Sequence, residues 1–225
     1  MRVAAPLAVG LLSLTIGSAS AATMVVSGTM ALTAVPSGGL SQTVFIDKFN
    51  VTDATLTGIS IDFTGNVSGT VSFARTQMGT ANPITYTTHL GSDFTLALGV
   101  ATLLSLPNVY TGDFTAALVK NGSAASGTLT GTGSAVSLVS SSLFSQFTGV
   151  GSLDLGLQIL RDNAFTSPNT PPTVTYMNNA SVALQVTYTY SLASPATGVP
   201  EPMSLAMFGV GLLGLVAVGR HLRRT

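Results

Sequence analysis

The sequence predicts an all-β protein, an antiparallel β-sandwich or jelly roll between an N-terminal signal-peptide helix and a single C-terminal transmembrane helix. Three observations support this fold class. In several short segments apolar residues alternate with polar ones, which is the pattern of a half-buried strand. Turn residues, mainly Gly, Pro and Asn, separate these segments. Of residues 23–198, 50 are Ser or Thr, and this composition favours strands over helices.

Each strand is predicted from its own alternation. The clearest one lies at 182–190, where large apolar residues occupy every second position. Gly69 interrupts another alternating segment and predicts either a bulge or close packing. One short helix is predicted within 136–147, and no repeat of fixed period occurs. In chain order, the predicted strands lie near residues 25–33, 43–49, 59–63, 67–73, 84–90, 94–98, 114–119, 126–132, 153–159 and 182–190. Turns are predicted at residues 36–39, 82–83, 107–108, 121–122 and 167–172.

The N-terminus has the three parts of a secretory signal peptide in the usual order. Met1-Arg2 is a short positive start, an apolar run covers residues 3–16, and small residues follow. Cleavage by signal peptidase is predicted after Ala21 or Ala22. The alternative, a buried N-terminal helix, is disfavoured by Pro6 and by the run of small residues. We therefore expect export of the remaining chain through the Sec translocon.

The C-terminus carries a second apolar segment, residues 203–219, directly after Pro200, Glu201 and Pro202. As a helix rising about 1.5 Å per residue, this segment spans roughly 25 Å, the short end of what crosses a bilayer. The segment is therefore predicted to be a transmembrane helix, and the chain before it to lie outside the cytoplasmic membrane.

The tail 220–225 follows this helix and contains Arg220, Arg223 and Arg224. Arginines resist translocation and hold such a tail on the cytoplasmic side, so these three residues are predicted to stop transfer.

Together, the Pro-Glu-Pro triplet, the apolar helix and the terminal arginines resemble the PEP-CTERM sorting signal of Gram-negative bacteria. All three parts stand in the order of that signal, and Glu201 is the only glutamate of the chain. The resemblance implies that residues 200–202 are recognised by an exosortase, a membrane-embedded enzyme similar to cysteine transpeptidases. It also implies release or reattachment of the protein at the cell envelope. The alternative interpretation is a plain C-terminal membrane anchor.

Three segments between the two ends carry a second resemblance. In residues 43–73, TVFIDKFNVTDATLTGISIDFTGNVSGTVSF, a Phe-centred loop leads into Leu-Thr-Gly and a strand, then into a strand around Val-Ser-Gly. FTGVGSLDLGL at 147–157 and VTYTY at 186–190 complete the pattern. It is similar to the choice-of-anchor E domains of exported bacterial proteins. Because that family is named for its anchoring, the resemblance implies a fold and a location but no chemistry.

Composition excludes several classes of function. Eight Lys and Arg balance eight Asp and Glu, so a nucleic-acid partner has no electrostatic support. The chain has no Cys, which excludes a thiolate zinc site, an iron–sulfur cluster and a cysteine nucleophile. His89 is the only histidine outside the tail, and we interpret it as a solvated or hydrogen-bonded strand residue. We therefore predict no enzymatic activity, no catalytic residue and no cofactor.

The seven aspartates of residues 23–198 are the remaining candidates for chemistry. A glycosidase needs two carboxyl groups across one sugar, and the sequence favours no particular pair. The dense D-x-D-x-D pattern of calcium loops is missing. Asp47 with Asp53, or Asp93 with Asp113, are the pairs that could meet in space, but no metal site is predicted.

Polysaccharide binding is the alternative function. Sugars stack on exposed aromatic rings, while Asp, Asn and Gln side chains bind their hydroxyl groups. Tyr188 and Tyr190 lie on the apolar face of a strand, which predicts core packing. Tyr110, next to the turn at 107–108, and Tyr176, in a loop, are predicted to be exposed and to contact a glycan.

The sequence thus predicts three regions: a signal peptide at 1–22, a β-sandwich ectodomain at 23–198 and a PEP-CTERM sorting segment at 199–225. The leading hypothesis is a structural role at the cell surface or in the extracellular matrix. The precursor is expected to be membrane-anchored and the mature form to lie at the envelope or outside the cell. The predicted partners are signal peptidase, the exosortase, the cytoplasmic membrane and exopolysaccharide.

Overall fold

A computed structural model describes residues 21–76, 82–167 and 171–193. Ala21–Ser191 form one compact unit. Within the described residues there are twelve strands, one 3-10 turn at Ser141–Leu143 and one short helix, α1 at Phe144–Phe147. The strands are β1 Ala21–Ala34, β2 Leu40–Asp47, β3 Ala54–Ala74, β4 Ile84–His89, β5 Gly91–Leu98, β6 Ala101–Tyr110, β7 Phe114–Leu118, β8 Ser123–Ala125, β9 Leu129–Leu138, β10 Ser152–Arg161, β11 Ala164–Thr166 and β12 Thr173–Leu192. The predicted all-β class is confirmed.

The strands form three sheets. The first sheet has the order β1-β12-β3-β8, and β9 also pairs with β3. The second sheet has the order β2-β10-β5-β6, and the third has the order β11-β4-β7. Neighbouring strands such as β1 and β12, β3 and β9, or β10 and β5 run antiparallel, as predicted.

The first and second sheets pack face to face, which gives the sandwich its main core. Phe63 of β3 and Phe94 of β5 meet edge to face with ring centroids 5.9 Å apart. Ile61 beside them and Leu155 of β10 are completely buried. Each such side chain contributes about 1.5–3 kcal/mol relative to exposure, so alternation of apolar residues along these strands drives the packing.

The third sheet covers the far end of β3, where a second cluster of aromatic residues is buried. Phe73 stacks on Phe114 with ring centroids 5.3 Å apart, and it lies 5.9 Å from both Tyr86 and Phe165. One 21-residue strand therefore contributes both to the packing of the two large sheets and to this aromatic cluster. The sequence predicted two shorter strands here.

Glycines inside β3 explain this difference. A Cβ atom at Gly65 would lie 2.9 Å from the Phe94 ring, and one at Gly69 would overlap the carbonyl oxygen of Met177. Both glycines therefore permit close approach of a neighbouring element rather than breaking the strand. Of the two alternatives predicted for Gly69, close packing is correct.

Two other sequence predictions need correction. The turn expected at Pro107 and Asn108 lies inside β6, where the register against β5 shifts and Asn108 has a φ of 60°. It is a β-bulge, which the same residue types favour. The helix expected within 136–147 is limited to Phe144–Phe147, because residues up to Leu138 continue β9 and Ser141–Leu143 form a 3-10 turn.

At both sides of the sandwich, the outermost strands of the first and second sheets contact each other. At one side β1 passes over β2, and a Cβ atom at Gly28 would lie 2.6 Å from Val44 Cγ1. At the other side β9 lies against β6, where Ser137 Oγ donates to the Leu103 carbonyl oxygen at 2.8 Å. These contacts join the two sheets along both sides.

In the described part of the chain, no helix is long and apolar enough to span a membrane. The predicted transmembrane helix 203–219 lies outside that part.

Candidate functional site

The chain crosses from the second sheet to the third at three places that lie side by side. These are Leu90 between β4 and β5, residues 111–113 between β6 and β7, and Asp162 with Asn163 between β10 and β11. The Thr111 amide donates to the Leu90 carbonyl at 2.9 Å, and the Asp162 amide donates to the Gly91 carbonyl at 3.0 Å. We call this region the junction.

The side chain of a buried asparagine links two of these crossing segments through hydrogen bonds. Asn178 is 1% exposed. Its Nδ2 donates to Asn163 Oδ1 at 2.8 Å and to the Gly91 carbonyl at 3.2 Å, while the Gly91 amide donates to Asn163 Oδ1 at 3.0 Å. The Val35 amide donates to the Asn178 carbonyl at 2.9 Å. This network was not predicted, because the segment around Tyr176 was interpreted as a loop.

The bulge in β6 positions Tyr110 on the surface of the junction. The Asn108 amide donates to Asp93 Oδ1 at 2.8 Å, which fixes the bulge. The Tyr110 hydroxyl donates to the Asp162 carboxylate and lies 2.8 Å from Asn108 Oδ1. Tyr110 is 38% exposed, in agreement with the sequence prediction. Its ring is therefore accessible and yet held in one orientation.

His89 supports the Tyr110 ring from the side, with ring centroids 4.4 Å apart. His89 Nδ1 lies 3.2 Å from Asp113 Oδ1. His89 is thus a hydrogen-bonded strand residue, as predicted. A hydrolytic triad also needs a hydroxyl at the second ring nitrogen, and among the described residues His89 Nε2 has no hydrogen-bond partner.

Tyr176 is not where the sequence placed it. It lies inside β12 rather than in a loop, and its ring packs against the core. Its hydroxyl lies 3.2 Å from Thr88 Oγ1. The prediction of an exposed platform at Tyr176 is therefore wrong, because the segment before Asn178 continues the alternation of the strand.

The other predicted sites lie at the ends of the chain. Ala21 and Ala22 begin β1, where they pair with Ser191 and Tyr190 of β12. The sorting motif of Pro200, Glu201 and Pro202 lies outside the described residues, as do Arg220, Arg223 and Arg224.

The aspartate pairs do not assemble a metal centre in the described residues, where no group of three or more His, Asp, Glu or Cys could hold a metal ion. Asp93 accepts the Asn108 amide and Asp113 lies beside His89.

Two tyrosine hydroxyls have raised pKa values. The hydrogen bond to Asp162, followed by partial desolvation and the nearby charges of Asp162 and Asp93, raises the pKa of Tyr110 to about 12. Burial, followed by the charge of Asp47, raises the pKa of Tyr188 to about 12. The Tyr188 hydroxyl donates to the Asp47 carbonyl at 2.9 Å. In both cases the fold prefers the neutral phenol.

We expect stability to fall between pH 10 and pH 12. A phenol whose pKa rises from 10.0 to about 12 on folding stabilises the fold fully below pH 10, and this contribution is lost as the pH passes through 12. Urea midpoints measured at steps from pH 9 upward test this. The Tyr110→Phe and Tyr188→Phe variants should each show a flatter decline. An equally steep decline in both would contradict the assignment.

No family model matches the chain, and no curated protein matches it. Among solved structures it is similar to the infectious bursal disease virus VP2 subviral particle, at 12% identity and a TM-score of 0.28, over 84% of this chain and 42% of that one. It is also similar to infectious bursal disease virus Gx strain, at 12% identity and a TM-score of 0.22, over 84% and 43%. The chain thus spans less than half the length of these proteins.

Proposed function

We propose that this protein is an exported structural protein of the cell surface or extracellular matrix, matured at both ends. The observation that carries the proposal is the order of Pro200-Glu201-Pro202, an apolar segment and terminal arginines, combined with a signal-peptide pattern at the other end. Under this proposal residues 1–22 are removed by signal peptidase after Sec export. Residues 203–219 then hold the precursor in the cytoplasmic membrane until an exosortase acts at the motif.

The position of the first strand supports this processing scheme. β1 begins at Ala21, so cleavage after Ala21 or Ala22 leaves a mature N-terminus at the start of that strand. The domain between the two processed ends is sandwich-like, with two large antiparallel sheets and a smaller third one. A domain with this composition is suited to a structural role, because its low charge and many hydroxyl groups keep the surface hydrated.

Deleting Pro200, Glu201 and Pro202 is expected to leave a full-length, membrane-bound precursor. The same result is expected when the exosortase gene is inactivated. Immunoblots of membrane and released fractions from the producing bacterium measure the effect, with Pro195→Ala as a control just outside the motif. Normal release of the deletion variant would rule out PEP-CTERM sorting.

Polysaccharide binding at Tyr110 is a second candidate function. The accessible Tyr110 ring lies beside the carboxylate of Asp162 and the amide of Asn108, which is the combination that binds sugars in many sites. Tyr176 is left out of this candidate, because it lies half-buried inside β12. A Tyr110→Ala variant should therefore lose most of the binding to exopolysaccharide if Tyr110 is the platform.

A further inference from the structure

The outer faces of the two large sheets carry the same arrangement of side chains. In the first sheet, Ser27 and Thr29 of β1 lie opposite Gln185 and Ala183 of β12. In the second sheet, a Ser-x-Thr segment of β2 meets a small-Leu-Gln segment of β10 in the same register. There the pairs are Ser41 with Gln158 and Thr43 with Gly156. In both places the serine is opposite the glutamine and the threonine is opposite the small residue.

A third strand completes each arrangement with polar groups. In the second sheet, Thr95 pairs with Gln158 and Ala97 pairs with Gly156. In the first sheet the third strand is β3, whose Asp62 and Thr64 lie on the same outer face, next to β12.

The small residues leave a hollow in each outer face. The hollow in the first sheet has a volume of about 270 Å³, and we call it groove A. The hollow in the second sheet has a volume of about 200 Å³, and we call it groove B. Groove A is lined by Ser27, Thr29, Asp62, Thr64, Ala183, Leu184 and Gln185. Groove B is lined by Ser41, Gln42, Thr95, Ala97, Gly156, Leu157 and Gln158.

Several polar side chains around the grooves are free to hydrogen-bond to a ligand. In the described part of the chain, the side chains of Ser27, Gln185, Ser41 and Gln158 make no hydrogen bond to protein. Other hydroxyls on the same outer face are engaged, as Thr132 is with the side-chain oxygen of Asn66 at 2.8 Å. Hydroxyl and amide groups that can both donate and accept are therefore available at the grooves for a ligand.

The glycine in groove B is not required by the fold. A Cβ atom at Gly156 would meet only the Ala97 carbonyl oxygen, at an ordinary distance of 3.8 Å, and the residue has no positive φ. Gly65, by contrast, faces the Phe94 ring at 2.9 Å. A glycine inside a strand weakens the strand. Gly156 therefore lowers the stability of the fold, although no close contact requires a glycine at this position. Its smallness keeps the groove open.

The charge of the lining decides the class of ligand. Neither groove is lined by a Lys, Arg or His, and Asp62 is the single charged residue in the two linings. No side chain in either groove could form an ion pair with an anionic polymer. Glutamine amides flanked by serine and threonine hydroxyls suit the donor and acceptor groups of uncharged sugars.

We infer that grooves A and B each bind a neutral polysaccharide chain, and that the domain bridges two such chains across its thickness. The two grooves lie on the outward faces of sheets whose inward faces are joined through Phe63 and Phe94. One chain cannot occupy both without passing around the domain. The inference goes beyond the Tyr110 candidate, because it places binding at two sites away from the junction, and it does not depend on the sorting route.

Bead agglutination separates bridging from simple binding. Full-length protein purified in detergent is mixed with beads that carry neutral glucans, mannans or galactans, with alginate beads as the anionic comparison and chitosan beads as the cationic one. We expect the unchanged protein to agglutinate at least one kind of neutral bead and not the alginate beads. Gln158→Ala or Gly156→Val, in groove B, should halve the amount bound at saturation and abolish agglutination. Gln185→Ala, in groove A, should do the same.

The double variant Gln158→Ala with Gln185→Ala should reduce binding at least tenfold. Gln146→Ala, an exposed glutamine on α1, is the matched control and should change nothing. Gly156→Val is the most informative change, because it should retain or raise the melting temperature while closing groove B. Absence of binding to every neutral bead would overturn the inference. Loss of binding in Tyr110→Ala with unchanged binding in the double variant would place the site at the junction instead. Both outcomes leave the sorting proposal unaffected.

Discussion

Replacing Asn178 with alanine is expected to destabilise the domain by about 1–3 kcal/mol, because two buried hydrogen bonds are lost together. The Gly91 carbonyl and Asn163 Oδ1 both accept from Asn178 Nδ2, at 3.2 and 2.8 Å. Each acceptor keeps one backbone donor, the Asp162 amide for the Gly91 carbonyl and the Gly91 amide for Asn163 Oδ1. The loss is therefore that of two buried hydrogen bonds, each about 0.5–1.5 kcal/mol. The site is 1% exposed, so water cannot easily replace the amide. Urea unfolding of the full-length protein in detergent, followed by circular dichroism, measures the loss.

The neighbouring residue supplies a matched control for this prediction. Asn179 lies next in β12 and pairs with Ala34, but its side chain makes no hydrogen bond in the part of the chain that the structure describes. Asn179→Ala should cost less than about 1 kcal/mol. Equal losses in the two variants would mean that the amide network at the junction contributes little.

Valine at position 69 is expected to have the largest effect of any single change in β3. A Cβ atom at Gly69 would overlap the Met177 carbonyl oxygen and lie 3.0 Å from Leu90 Cδ1. The overlapping atom belongs to the backbone of β12, so it cannot move away as the end of a flexible side chain would. We expect a loss of more than about 4 kcal/mol, seen as failure to accumulate folded protein at growth temperature.

Gly58 in the same strand is the control for Gly69. A Cβ atom there would meet only Thr189 side-chain atoms, at 3.6 and 3.8 Å, which is ordinary contact. Gly58→Val should therefore fold normally, and the higher strand propensity of valine should offset part of any cost. Protease resistance and melting temperature distinguish the two variants. A folded Gly69→Val protein of normal stability would show that β3 and β12 can separate without penalty.

Much of the fold is predictable because alternation of apolar residues directly reflects which face of a strand is buried. The strand near 182–190 lies within β12, and Tyr188 is fully buried as predicted. The length of β3 was not predictable, since a glycine that breaks a strand and one that allows close approach look the same in a sequence. What distinguishes them is the element packed against them, which is remote in the chain.

The candidate sites were predictable only where residues close together in the sequence indicated them. The Pro107-Asn108 pair correctly indicated an irregular backbone next to Tyr110, although as a bulge rather than a turn. Arg75 shows the opposite case. It is 3% exposed, and its guanidinium donates to the carbonyls of Leu118 and Asn82 at 2.8 and 3.1 Å. No local pattern marks a cation that is buried among carbonyl oxygens of distant strands.

The grooves were missed for a related reason. Ser-x-Thr and small-Leu-Gln are common triplets, and neither of them alone predicts a binding site. They become informative when the pairing register places a serine opposite a glutamine twice, on two different sheets.

The pairing of β1 with β12 has a consequence for the order in which the domain can form. The first strand of the domain finds its partner only in the last, and β12 also separates β1 from β3 in the first sheet. This high contact order makes folding slow, because nearly the whole chain must close into one loop before the central strand is in place. A nascent chain that lacks β12 cannot complete the first sheet, so we expect the domain to close only after its last strand has been synthesised. Under the proposed export through the Sec translocon, this delay would favour a chain that is still unfolded when it reaches the pore.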